Sequence, residues 1–417
     1  MRMSRRSLLK TAGAVSAIAW QGGTSSAAQP NAKAPVSASS LPDKAAFAKM
    51  SVAHLDSGGT HPVSLGAKRA VEEYLNDRTL LAGTPHFGVD ATGERVRARF
   101  ARLIGAKPEE ICLVPSTTAG EHLMLQALNL PAAGGRIVTD TLHFPGSMYL
   151  YDAMSRAAMD VVWLKPRDGR SISLADVDAA VTKQTRVVVL SLVSAVNGFQ
   201  QDLKQVCEIA HAKGALVYAD IVQAAGAVAV DVRASGVDFA ACAAYKWLMG
   251  DYGLGFMFVR EELLEQLRRT QFGYYQLAGS VTHVYPFDPP GRAVADFEVR
   301  RDATGHFATG TTSGAGIAHL DYSLEYVERL GVQNIQRYRQ PLLDYARKEL
   351  ERRGYRCMTP VGSTSPILSF LQQDAEKLRS RLEAADVKVT LADNRFRIST
   401  SVFNDVADID RLLEALA

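Results

Sequence analysis

Asp238-Phe239-Ala240-Ala241-Cys242-Ala243-Ala244-Tyr245-Lys246-Trp247-Leu248-Met249-Gly250 is the stretch from which the rest of the chain is read. A strand-length run of small apolar residues ends in a lysine flanked by two aromatics. Small side chains leave room for a bulky ligand against the strand. A lysine partly buried at such a strand end loses its proton more easily, and the free amine can form a Schiff base with a carbonyl. Taken alone, the stretch reads more readily as a core strand closed by a lysine that snorkels to water. The surrounding sequence has to decide.

Working outward, short apolar runs alternate with helical patterns. Candidate strands are Ile111–Val114, Arg136–Thr139, Val161–Leu164, Val187–Leu192, Leu216–Ala219, Phe239–Ala244 and Gly255–Val259. Candidate helices are 65–80, 90–104, 118–129, 174–182 and 200–213, the last closed by Lys213-Gly214. Strands alternating with helices predict an α/β fold with a mostly parallel seven-stranded sheet covered on both faces. Helical patterns at about 314–329 and 333–353, then a weaker mixed pattern, predict a smaller α+β C-terminal domain over 306–417, after a large domain over 61–305.

Ligands of parallel sheets bind outside the carboxyl ends of the strands. Two further stretches place polar residues there. In Leu216-Val217-Tyr218-Ala219-Asp220-Ile221-Val222-Gln223, Asp220 leaves the end of a buried strand, where a carboxylate needs a cationic partner. As a plain helix N-cap it would be unremarked. In Val114-Pro115-Ser116-Thr117-Thr118-Ala119-Gly120-Glu121, hydroxyl residues open a helix after a strand, which is either a simple cap or a phosphate cradle. Together, a phosphate cradle, a strand-end aspartate and a lysine one strand later are the fixtures that pyridoxal 5'-phosphate (PLP) requires. The aspartate keeps the pyridine nitrogen protonated, so that the ring accepts electrons.

On these residues the chain resembles the class V aminotransferases, which include cysteine desulfurases, kynureninases and isopenicillin N epimerase-like proteins, all of fold type I. The resemblance runs from about residue 50 to the C-terminus. Asp220-Ile221-Val222-Gln223 is similar to the family's Asp-x-x-Gln, which implies Asp220 at the pyridinium and Gln223 at the cofactor's phenolic oxygen. Lys246-Trp247-Leu248, with Gly250, Gly253 and Gly255, resembles the family's lysine motif. Ser116-Thr117-Thr118 resembles its Gly-Thr-Thr phosphate turn. Gly310-Thr311 resembles a Gly-Thr that reaches the phosphate from a second subunit, which implies a homodimer. Arg397-Ile398-Ser399, near Phe403-Asn404, resembles the arginine motif that binds the substrate carboxylate. Phe144-Pro145, preceded by His143, is similar to the Phe-Pro turn of kynureninases, whose aromatic stacks on the ring.

The chain departs from the pattern in places. Ser-x-His before the lysine is Ala243 and Tyr245 here, and Tyr245 keeps one hydroxyl to donate. After Ser194, counted with the cofactor residues, stands Ala195 in place of Asn. Desulfurases carry a thiolate on a loop before the arginine, and 386–395 has no cysteine, which argues against sulfur transfer through a persulfide. Cys112, Cys207, Cys242 and Cys357 each sit in an apolar segment and read as small buried hydrophobes, and no Cys/His spacing suits zinc. Asp56-Ser57-Gly58-Gly59-Thr60-His61-Pro62 resembles the family's N-terminal loop near the substrate; His61 reads either as a substrate contact there or, more readily, as a loop histidine without a catalytic task. The glycines at 250–255 lack Gly-x-Gly-x-x-Gly and suggest no dinucleotide site.

The N-terminus is read separately. Ser4-Arg5-Arg6-Ser7-Leu8-Leu9-Lys10, a mildly apolar run to Trp20 and Ser26-Ala27-Ala28 resemble a twin-arginine signal peptide over 1–28 with cleavage near Ala28. A linker and N-terminal segment follow over 29–60. The signal holds Arg2, Arg5, Arg6 and Lys10 and no acid, so of 47 basic and 44 acidic side chains, 43 and 44 remain after it. A near-neutral mature chain gives no reason to expect a nucleic-acid partner. No apolar run is long enough to span a bilayer. The expectation is an enzyme exported to the periplasm by the twin-arginine machinery, acting on an amine substrate. Its type resembles exported family members that tailor the siderophore pyoverdine. The alternatives are an epimerase-like racemase, a C–S lyase, or a non-catalytic PLP- or amine-binding protein.

Overall fold

The computed structural model describes residues 41–80 and 91–417; the stretch read as a signal peptide over 1–28 and the start of the 29–60 segment lie outside the described residues. The seven anticipated strands all form, as β1 (Ile111–Val114), β2 (Arg136–Asp140), β3 (Asp160–Leu164), β4 (Thr185–Ser191), β5 (Leu216–Asp220), β6 (Phe239–Ala243) and β7 (Gly255–Val259). They make one sheet in the order β1-β7-β6-β5-β4-β2-β3. Neighbours among β2 to β6 pair in parallel, whereas β7 is antiparallel to both β1 and β6. Because β7 reverses direction between them, β1 runs with the parallel strands. The turns after β1, β2, β4, β5 and β6 therefore open at one edge of the sheet.

Alternation along the strands sends side chains to two cores. Val217, Ala219, Ala240 and Cys242 join the cluster that holds Phe100, Val206 and Leu320, from helices Ala91–Ile104, Leu203–His211 and Gly314–Leu330. Tyr218, Phe239 and Ala241 point the other way, into a cluster with Met124 and Tyr151 from helices Thr117–Ala127 and Pro145–Arg156. Each fully buried Val, Leu or Phe contributes about 1.5–3 kcal/mol, so both helical layers are needed to cover this sheet. Gly214, at φ +80°, ends the helix begun at Leu203, and Ala215 N–H reaches back to the Ala210 carbonyl at 3.0 Å. The helix stops at His211, two residues earlier than the sequence suggests, because that glycine closes a Schellman-type turn.

Beyond helices Gly314–Leu330 and Val332–Arg352, the mixed C-terminal pattern resolves into a four-stranded antiparallel sheet. Its strands run in the order Arg356–Cys357, Ile367–Leu371, Arg395–Ser399 and Thr390–Ala392. Phe370, Phe396 and Ile398 pack there against Leu343, Leu412 and Leu413 of the flanking helices. An exposed hairpin, Leu277–Thr282 with Ala295–Val299, was not anticipated from the sequence. No helix among the described residues is long and apolar enough to cross a membrane.

Candidate active site

The three sequence stretches meet at the carboxyl edge of β1, β5 and β6. Ser116 caps the helix Thr117–Ala127 by accepting from Ala119 N–H at 3.1 Å. No acceptor among the described residues takes the N–H of Thr117 or Thr118, so the positive end of the helix is open to an anion. Thr117 Oγ1 accepts from Ala243 N–H at 2.9 Å and ties this turn to the end of β6. A Cβ on Gly120 would lie 2.9 Å from Ala241 Cβ, so only glycine lets the helix pack this close to the strand. Thr118 gives its carbonyl to His122 at 2.9 Å.

Three residues past Ala243 stands Lys246, 7% exposed. Its Nζ makes no hydrogen bond or ion pair among the described residues and sits 5.5 Å over the Tyr245 ring. Burial lowers its pKa, Arg397 pushes the same way, and Asp220 opposes. That is the environment a nucleophilic amine needs. Asp220, 3% exposed, accepts from Val222 N–H at 2.9 Å; no other donor reaches the carboxylate among the described residues. Burial raises its pKa, and His143, the Val222 N–H and Lys246 oppose. Gln223 accepts from Trp247 Nε1 at 2.8 Å and donates to the Gly58 carbonyl at 2.9 Å.

The N-terminal loop closes over this floor. His61 N–H donates to the Tyr245 carbonyl at 3.0 Å, and Gly58 N–H donates to Ser399 Oγ at 2.8 Å. A Cβ on Gly58 would fall 3.1 Å from Ser399 Oγ and 3.2 Å from Gln223 Oε1, so the loop must be bare there. His61 is buried, with Nε2 at 2.8 Å from Ser401 Oγ and Nδ1 at 2.8 Å from the Pro62 carbonyl. Burial takes its pKa down to about 3. Both ring nitrogens have partners.

Arg397 comes from the C-terminal sheet. Its guanidinium donates to the Ala195 carbonyl at 2.7 Å and Thr390 Oγ1 at 2.9 Å, and pairs with Asp56 at 3.4 Å. Ala195 thus belongs to the site through its backbone. Ser194 spends its hydroxyl locally, donating to the Leu142 carbonyl at 2.7 Å and accepting from Val196 N–H at 3.1 Å. His143 is fully buried behind Asp220. Phe144 is the half-exposed N-cap of the helix Pro145–Arg156, its ring folded where a Cβ on Gly146 would lie 2.7 Å away. Tyr245 is stacked on Tyr252, with centroids 4.4 Å apart, and Tyr252 OH lies 2.6 Å from Thr60 Oγ1. Gly310 and Thr311 line a cavity of about 450 Å³ beside Pro115, Ala119 and His122; Lys246 and Asp220 do not line it.

Asp56, Tyr252, Ser191 and the buried carboxylate of Glu121 drew no role from the sequence. Glu121 alone left a signal, a carboxylate three residues before Met124 on a helix face that is otherwise apolar. All four cysteines are free and buried, and burial pushes the Cys112 and Cys207 thiols up to about 12. Among the described residues, no three His, Cys, Asp or Glu side chains gather as a metal site.

A buried amine without a partner, a buried carboxylate with one oxygen to spare and an open helix N-terminus fit PLP, and with this sheet they define a PLP-dependent enzyme of fold type I. Residues 53–412 match the family described as aminotransferase class-V, and the chain belongs to that family. A probable cysteine desulfurase of Methanothermobacter thermautotrophicus is 27% identical over 68% of this chain and 69% of its own. An uncharacterized aminotransferase of Bacillus subtilis is 26% identical over 84% and 89%. Among solved structures, a lysine-to-alanine variant of C-DES with glycine covalently linked to its PLP cofactor superposes with a TM-score of 0.74 at 18% identity, covering 88% of this chain and 96% of that one.

Proposed function

We propose that this enzyme carries out aminotransferase-type chemistry on an amino-acid or peptide-like amine outside the cytoplasm, after twin-arginine export, with side-chain tailoring of a peptidic siderophore as the substrate class. Bound PLP supplies an electron sink for a carbanion at the substrate α-carbon. Lys246 would hold the cofactor, and its amine would move the proton at that carbon. Asp220 would hold the proton on the ring nitrogen, the turn at Ser116–Thr118 would take the phosphate, and Arg397 would receive a carboxylate. Gly310 and Thr311 of a second copy complete the phosphate end in a homodimer.

The observation that turns the reading away from cysteine desulfurisation is the burial of all four thiols. A persulfide route needs an exposed thiolate, and none of these cysteines supplies one. A C–S lyase that releases sulfur without an enzyme thiol is the second reading, since burial of the thiols does not weigh against it. The purified protein is mixed with a panel of amines, including siderophore precursors bearing an N-terminal glutamate, in heavy water. A keto product with the cofactor left in its amino form supports transamination. Deuterium at the α-carbon without a keto acid, or release of sulfide from sulfur amino acids, overturns it. Unchanged siderophore precursors overturn the substrate class.

A further inference from the structure

Behind Asp220 lies a buried group of polar side chains that the proposed chemistry does not use. Glu121 is 1% exposed, and its carboxylate accepts from Ser147 Oγ at 2.6 Å and Tyr151 OH at 2.7 Å. Its one ion-pair partner among the described residues is His143, whose Nε2 stands 3.3 Å from Oε1. The other ring nitrogen of His143 lies 2.8 Å from Ser191 Oγ, and Ser191 is paired with Asp220 across β4 and β5. We propose that Glu121 is a positioning residue of the cofactor site, whose carboxylate holds His143 against Ser191 as the cation facing Asp220.

This rests on the reading that Asp220 serves the cofactor's ring nitrogen. A carboxylate sunk this deep needs a compensating charge. The groups facing His143 come from every element packed on it: Glu121 from the helix after β1, Asp140 from the end of β2, Asp220 from β5, and Tyr151, whose ring lies 6.3 Å away, from the helix after β2. Burial pulls the imidazole pKa down, but Glu121, Asp220 and Asp140 together carry it above its usual value. Protonated His143 is in turn the largest influence opposing the effect of burial on Asp220. Removing the Glu121 charge leaves one imidazole between fewer carboxylates, so it loses its proton more readily. Asp220 then loses the cation that favours its ionised form.

Histidine-labelled, cofactor-free protein is titrated by NMR, and PLP affinity is measured separately. In Glu121→Gln the midpoint of His143 falls by at least about one pH unit, and PLP binding weakens by about tenfold or more. Tyr151→Phe keeps the carboxylate and removes one of its donors, so the His143 midpoint holds or rises; this variant carries the test if Glu121→Gln does not fold. Identical His143 titration in wild type and Glu121→Gln, or a lowered midpoint in Tyr151→Phe, overturns the proposal. A wild-type protein that forms no borohydride-reducible adduct with PLP overturns the cofactor reading instead.

Discussion

Replacing Arg397 by alanine separates carboxylate recognition from the rest of the site. The guanidinium is almost fully enclosed, with three partners: the Ala195 carbonyl at 2.7 Å, Thr390 Oγ1 at 2.9 Å and Asp56 at 3.4 Å. A substrate carboxylate that takes the fork gains two charge-assisted hydrogen bonds, each worth about 1.5–3 kcal/mol. It also displaces the weaker Asp56 contact, which returns part of that gain. The net loss on truncation is roughly 2–4 kcal/mol, or about 30- to 1000-fold in kcat/KM. Rapid mixing of each protein with an amino acid and with its decarboxylated counterpart, followed through the cofactor's visible absorption, measures the two losses side by side. The amino acid suffers the full drop and the simple amine little. Arg397→Lys falls between, because an ammonium keeps the charge without the planar fork. Equal losses for both substrates refute the role of Arg397.

Two further outcomes follow from burial. His61 is neutral in the folded protein, with its pKa taken down to about 3 from 6.5, so the unfolded chain binds the extra proton between those values. Stability contributed by neutral His61 is therefore full above pH 6.5 and is lost as pH falls towards 3, at up to about 1.4 kcal/mol per unit. His61→Gln flattens the fall of Tm between pH 6.5 and 4, and an unchanged profile contradicts the burial argument. The four buried thiols resist a thiol reagent at pH 8 in the native state and react once the protein is unfolded. Rapid labelling of one of them in the native protein contradicts the case against a persulfide route.

The central sheet was legible because each of its strands is a short apolar run bounded by turn residues, and the candidate site was legible where polar residues stand at strand ends. Asp220, Gln223, Lys246 and the turn at Ser116 are all of that kind. The reversed direction of β7 left no trace in the sequence, since Gly255–Val259 is buried on both faces like the Phe239–Ala243 strand that belongs to the parallel set. The hairpin at 277–299 was missed because its strands are largely exposed and lack the apolar signal. The C-terminal sheet blurred because Arg356–Cys357 and Thr390–Ala392 are too short to show a period. Partners far apart in the chain were invisible to local reading. Asp56 meets Arg397, Gly58 meets Gln223, and Glu121 meets His143 only once the fold closes.

Lys246 remains the claim on which the others depend. The most direct measurement is borohydride reduction of the PLP-loaded protein followed by peptide mapping, on wild type and Lys246→Ala. The account predicts a single reduced pyridoxyl adduct on Lys246 in the wild type and none in the variant. An adduct on another lysine, or the same labelled peptide from Lys246→Ala, contradicts it.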